Sequence, residues 1–343
     1  MHVTPSPSRR FRSPLPAAAA LALALVAAAL QFSAPARAES SSCADAVTTA
    51  PTGPATVSAE TKAPFGKVLV VGSGAYAGCS LYLLTSDALH TLSGADFACS
   101  DNANALGAPC DTVLWPALLT DGAPVAGPGV DPTLLGTASR SDVVSGTSVQ
   151  QVTYAGQPLY RFIFDESPAE IEGANLFDPV TSPPGTWFLV DPARGLPATG
   201  TARIQIETAP LNGIGPDETV IAATMSNEFD ALFPNGSPTF PVYTSSADSG
   251  RQSACQGACA AAYWQPVLTD KRPQAGAGVD QHALGIIVRP DGTHQVTYGG
   301  QPLYLNFGDA YLAGIPFYNN GMPTINGAGA ITPWGTFDTI PAP

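Results

Sequence analysis

An all-β fold of two homologous antiparallel repeats is predicted by three observations. The decapeptide Gln151–Tyr160 (QVTYAGQPLY) returns as Gln295–Tyr304 (QVTYGGQPLY) with one difference, so the chain carries a tandem duplication. Charged residues make up only 12% of the 343, while Gly and Pro number 34 each, a composition of short strands and many turns. Around both decapeptides, β-branched and aromatic runs alternate with Gly and Pro-Asp-Gly turn signals.

Each repeat is read as a hairpin, a disulfide-tied Trp segment and a three-stranded meander. In the first repeat Lys67–Val71 and Ser80–Leu84 are strands flanking the Gly-rich loop 72–78. In the second, Leu284–Arg289, Thr293–Tyr298 and Gln301–Phe307 form the meander, with Gly299-Gly300 at a two-residue turn that needs positive φ. Pro158 and Pro302 lack an N–H and belong on an edge. Trp115 aligns with Trp264, Asp131 with Asp280 and Arg140 with Arg289, all 149 residues apart, and the offset then falls to 144. The five extra residues of the first copy are expected in its first meander turn, Ser141–Ser148. Each repeat is expected to close on a tryptophan near glycine, Trp187 and Trp334, and a short helix is expected at Ala260–Ala262. Whether the repeats form a pseudo-two-fold pair or a small propeller-like closure is left open.

The expected organisation is a signal peptide over 1–38, a flexible leader over 39–62, repeat 1 over 63–208 and repeat 2 over 209–343. Arg9, Arg10 and Arg12 precede the apolar run Ala17–Leu30, and Ala36-Arg37-Ala38 supplies the small residues of a cleavage site after Ala38. The run is too short for a comfortable membrane span. Secretion or periplasmic residence follows, with no transmembrane helix in the mature chain. Cys43 follows three serines without the Leu expected upstream of a lipidated cysteine, which argues against a lipid anchor there. The formal charge of −13, with only 14 basic residues, argues against nucleic-acid partners. The expected partner is an envelope component or another exported protein.

Six cysteines in an oxidising compartment read as three disulfides. Cys110 and Cys259 each lie five residues before a repeat tryptophan, which pairs them with Cys99 and Cys255 and leaves Cys43 for Cys79. The alternative is a soft-metal thiolate site at Cys255-x-x-x-Cys259, as copper-handling proteins use.

A finer period lies inside the repeats. Tyr82 and Asp87, Tyr160 and Asp165, Tyr243 and Asp248, Tyr304 and Asp309 are each five apart. Five residues along one strand would put the pair on opposite faces. The strand is therefore expected to end before the Asp, whose carboxylate accepts backbone N–H groups in the following turn. A binding groove of these Tyr and Asp residues, with Trp115 and Trp264, is the functional alternative.

The residues Val152–Leu159, Tyr160-Arg161-Phe162-Ile163-Phe164-Asp165, the Cys110-to-Pro116 segment and Trp187 resemble a bacterial secreted repeat of unknown function. That repeat occurs in predicted lipoproteins carrying a Tyr-x-(Phe/Trp/Tyr)-x-x-Asp motif. The second copy matches through Gln295–Tyr304, Cys255-x-x-x-Cys259 and Trp264, and departs at Asn306 and Gln265. The resemblance implies an exported, envelope-associated protein and brings no activity with it.

Catalytic motifs are lacking: there is no Gly-x-Ser-x-Gly elbow, His-Glu-x-x-His helix or phosphate-binding glycine loop. His90, His282 and His294 do not repeat between copies. No cofactor is implied. The leading expectation is a non-catalytic, exported binding or structural protein. Copper or redox handling at Cys255 and Cys259, and an acidic hydrolase with converging carboxylates, are the alternatives.

Overall fold

The computed structural model describes residues 43–87, 97–101, 104–105, 107–178, 181, 183–211, 215–224, 239–257, 259, 264–310 and 324–343. The signal segment, His90 and the expected helix at Ala260–Ala262 lie outside them. The chain is all-β, and its sheets are open.

The first half opens with β1 (Thr56–Lys62) and β2 (Gly66–Val71), an antiparallel hairpin in register from Val57↔Val71 to Lys62↔Gly66. β1 lies in the stretch read as a flexible leader, and Cys43 at its start is buried; the leader is part of the fold. After the Gly-rich loop the chain runs briefly along β2, with Leu81 N–H donating to Leu69 O. It then departs as β3 (Tyr82–Leu84) to pair with a later strand. The two-residue ribbon β4 (Asn104–Ala105) and β5 (Ala108–Pro109) leads into a single π turn at Cys110–Leu114. β6 (Leu119–Thr120) and β7 (Val125–Ala126) follow, β7 lying parallel to β1.

The meander is β8 (Leu135–Val144), β9 (Thr147–Tyr154) and β10 (Gln157–Pro158). Its extra residues do not form the long loop expected. β8 and β9 extend through a bulge between Arg140 and Val144 to a tight turn closed by Val144↔Thr147, where Gly146 has φ +72°. Continuing the ladder satisfies backbone groups that a loop would leave to water. Pro158 sits on the outer strand of this sheet. β11 (Leu176–Asp178), β12 (Gly185–Val190) and β13 (Pro197–Ala198) finish the half, and β12, buried at every residue, takes β3 and β11 as neighbours.

The second half repeats the plan. β14 (Arg203–Pro210) and β15 (Asp217–Thr224) form the hairpin, and β14 spans the boundary expected at 208/209. β16 (Thr239–Ser245) stands where β3 does, β17 (Trp264–Pro266) carries the tryptophan, and β18 (Gln274–Ala275) runs parallel to β14. The meander is β19 (Leu284–Val288), β20 (His294–Tyr298) and β21 (Gln301–Pro302). β22 (Tyr304–Asn306) joins β16 and β17, and β23 (Ala330–Thr332) and β24 (Gly335–Thr339) close the sheet.

Each half has its own stacked aromatic pair. Trp115 lies on Trp187 at 3.8 Å and 12°, with Phe162 on its other face at 4.0 Å. Trp264 lies on Phe337 at 3.8 Å and 9°. The counterpart of Trp187 is thus Phe337, not Trp334: Gly185-Thr186-Trp187 aligns with Gly335-Thr336-Phe337. Trp115 and Trp264 are core residues. A Cβ on Gly173 would come within 2.7 Å of Trp115 Cη2, and one on Gly327 within 2.6 Å of Trp264 Cη2.

Rigid rings cannot yield to an added methyl as flexible chains do. We therefore expect Gly173→Ala to destabilise the fold by about 1–3 kcal/mol, the usual cost of overpacking. Urea unfolding with an unchanged midpoint would contradict this packing.

Candidate functional site

The four Tyr-x4-Asp segments are brought together in crossed pairs. In the first half Tyr82 and Tyr160 face each other across an antiparallel bridge, and in the second Tyr243 and Tyr304 do the same. Each hydroxyl donates to the aspartate that follows the opposite tyrosine. Tyr82 reaches Asp165 at 2.7 Å, Tyr160 reaches Asp87 at 2.8 Å, Tyr243 reaches Asp309 at 2.8 Å and Tyr304 reaches Asp248 at 2.9 Å. The second oxygen of Asp87, Asp165 and Asp309, and an oxygen of Asp248, accepts a backbone N–H: from Ala98, Glu172, Asn326 and Ala254 respectively, all at 2.7–2.8 Å. The strand does end before the Asp, and the loop tied down is the one that follows.

Burial raises all four carboxyls: Asp87 to about 6, Asp165 to about 7, and Asp248 and Asp309 above their ordinary value, opposed by the Tyr and N–H donors. The same burial, aided by the facing aspartates, raises the tyrosines. These side chains do not form an open groove. Asp87, Asp165, Asp309 and all four tyrosines are buried.

A buried arginine joins each clasp to the meander and a disulfide. Arg140 donates to Gln151 Oε1 at 2.9 Å, to Cys99 O at 2.9 Å and to Tyr160 Oη at 3.4 Å; Gln151 in turn donates to Leu159 O. Arg289 donates to Gln295 Oε1 at 2.7 Å and Cys255 O at 2.9 Å, with Ser253 linking it to Tyr304. The 149-residue spacing aligns these arginines without showing what they hold. The available signal is a diagonal one: each arginine stands two residues beyond the ladder partner of a glutamine, Ala138 opposite Gln151 and Ile287 opposite Gln295.

The cysteines form Cys43–Cys79, Cys99–Cys110 and Cys255–Cys259. Three disulfides place the folded chain in an oxidising, extracytoplasmic setting. With their sulfurs bonded to each other, Cys255 and Cys259 are not thiolate ligands, and the sulfur of Cys43 is engaged rather than free for a lipid. Arg161, absent from the second half where Leu305 takes its place, fastens the segment at Cys43 through Cys43 O and Asp45 O and stacks on Tyr76. No described helix is long and apolar enough to cross a membrane.

One cleft of about 470 Å³ opens between the two halves. Leu83, Phe188 and Leu196 of the first half face Leu268, Gln265 and Arg289 of the second. Gln265 occupies the position of Pro116 and accepts a 2.5 Å hydrogen bond from Thr186, so a departure from the repeat pattern is a residue that joins the halves. Asp270 adds a second junction, accepting from Thr199 N–H and Gly200 N–H at 2.7 and 3.0 Å. Protein-family models, curated proteins and solved structures contain no match to this chain.

The raised carboxyls fix a pH dependence. A group whose folded pKa exceeds its unfolded one contributes stability at low pH and loses it as pH rises through the folded value. The denaturant midpoint should therefore fall as pH rises from the ordinary carboxyl value of 3.8 through the folded values near 6 and 7 of Asp87 and Asp165, and level off above them. Asp165→Asn should flatten that fall, and an unchanged slope in the variant would refute the assignment. Tyr82→Phe, leaving Asp165 short of a buried donor, should cost about 1–3 kcal/mol in the same measurement.

Proposed function

We propose that the protein is an exported, non-catalytic component of a bacterial cell envelope, built by tandem duplication of one β unit and acting by binding or as structure. The observation that carries this reading is the use made of its chemically active side chains. The four buried tyrosines, their aspartates and the six cysteines all serve as internal fasteners. A hydrolase of the two-carboxylate type needs an acid and a base reaching a shared cleft. Asp165 and Asp309 instead spend their oxygens on tyrosine and backbone donors. The N-terminal segment, with its arginines, apolar run and Ala36-Arg37-Ala38, supports secretion or periplasmic residence.

Thiol titration of the exported chain, denatured in guanidinium without reductant, tests the reading against copper or redox handling. The expected result is no reactive thiol. Two thiols per chain, with a copper-dependent rise in melting temperature of the native protein, would replace this reading with the metal-handling one.

A further inference from the structure

The duplication supplies an internal comparison for one buried charge. In the first half Arg140 is neutralised by two carboxylates. Asp111 meets Nη2 at 2.7 Å with both side chains fully buried, and Asp142 takes Nε at 2.9 Å and Nη2 at 2.5 Å. In the second half the guanidinium of Arg289 is equally shielded, its side chain 1% exposed, but its carboxylates are not equivalent. Gln256, a neutral amide from a different position in the repeat, takes Nη2 at 3.1 Å, the nitrogen that Asp111 takes on Arg140. Asp291, two residues on like Asp142, is held in its own turn by the N–H and hydroxyl of Thr293. It lies 3.5 Å from Nε with its side chain 53% exposed. Arg289 Nε is left buried without a hydrogen-bond partner.

Arg289 is among the residues lining the inter-half cleft; its Nη hydrogens go to Ser253, Gln295, Cys255 and Gln256, so Nε is its one unengaged donor, and Gln265, whose Nε2 is a second orphaned donor, lines the cleft as well. Gln157, also in the lining, carries an orphaned Oε1 and can present its own N–H₂ by rotating the amide. Leu, Phe and Pro make up about half of the remaining wall, and Asp291, Gln256, Thr85 and Thr293 are its polar residues. A buried, under-neutralised arginine beside free amide donors in an apolar cleft is suited to a carboxylate on an apolar body, because the charged oxygens take the donors while the tail covers the wall. An added carboxylate also gives Arg289 the two negative partners that Arg140 already has.

We propose that the cleft between the halves binds a small apolar monocarboxylate, its carboxylate received by Arg289 and Gln265 and its tail lying against Leu83, Phe188, Leu196 and Leu268. The proposal rests on the binding, non-catalytic reading given above and names its ligand class.

The test uses the exported full chain with hexanoate and its neutral isostere hexanamide, followed by protein and ligand NMR at pH 7. Saturable hexanoate shifts at cleft residues are expected, with hexanamide at least tenfold weaker. Gln256→Glu, which supplies Arg289 with the carboxylate its counterpart has, should weaken hexanoate at least tenfold while the chain stays folded. Leu196→Trp, which fills the cleft, should abolish binding. No saturable hexanoate binding, equal binding of hexanamide, or indifference to both variants would overturn the proposal. The ligand spectra separate this from the broader reading. Equal binding of the amide removes the carboxylate class and leaves a binding protein, whereas conversion of either probe to a product removes the non-catalytic reading itself.

Discussion

The crossed tyrosine–aspartate clasp is the constraint on which the rest of each half depends. Two tyrosines paired across a bridge would be ordinary sheet packing. What makes them organising is that each hydroxyl satisfies a carboxylate belonging to the other strand, and that carboxylate holds the loop beyond it. Buried carboxylates are costly unless every oxygen has a donor. The two strands and the two loops must therefore be in place together, since removing any one leaves a buried charge without its partners. The arginine behind each clasp extends the condition to the meander through Gln151 or Gln295, and to a disulfide loop through the carbonyl of Cys99 or Cys255.

Aromatic stacking completes what the clasp positions. Trp115 and Trp264 pack edge-on against Tyr82 and Tyr243 and face-on against Trp187 and Phe337. The glycines opposite them allow a ring edge where any side chain would collide. The first half adds Phe162, the Cys43–Cys79 disulfide and the Arg161 anchor, while the second has Asn306 and Leu305 in the matching places. The two copies have kept one frame and diverged where it meets their neighbours.

Much of that frame could be read from residues alone, because duplication lets each copy check the other. The meander, the edge prolines, the short-range cysteine pairs and the end of each strand before its Asp all follow from spacing shared by both copies. The crossing of the clasp does not. A five-residue spacing within one segment says nothing about which segment lies opposite, and the partners are 83 and 73 residues apart in one half and 66 and 56 in the other. The strand inside the expected leader is hard to see in the sequence, because Ser, Thr and Ala predominate in β1 while its backbone pairs with β2 regardless. Residue type alone points to Trp334, whereas position after the glycine points to Phe337. The cleft lay beyond reach, since Gln265 and Arg289 become neighbours of Leu83 and Phe188 only through the packing of one half on the other.

For a chain exported unfolded, as proposed above, the order in which these contacts close along the chain matters. Every clasp of the first half is complete by Asp165, and its last central strand ends at Val190. The second half needs its final residues: Tyr243 waits for Asp309, and Ile221 N–H donates to Ile340 O. A chain emerging N-terminus first can therefore assemble the first half as a finished surface while the second is still in transit. The later half, with its under-neutralised arginine, then forms against a wall that already exists, and Leu268 enters a cluster of the earlier half that includes Phe188. Delivery in that order would make one copy the template on which the cleft is built.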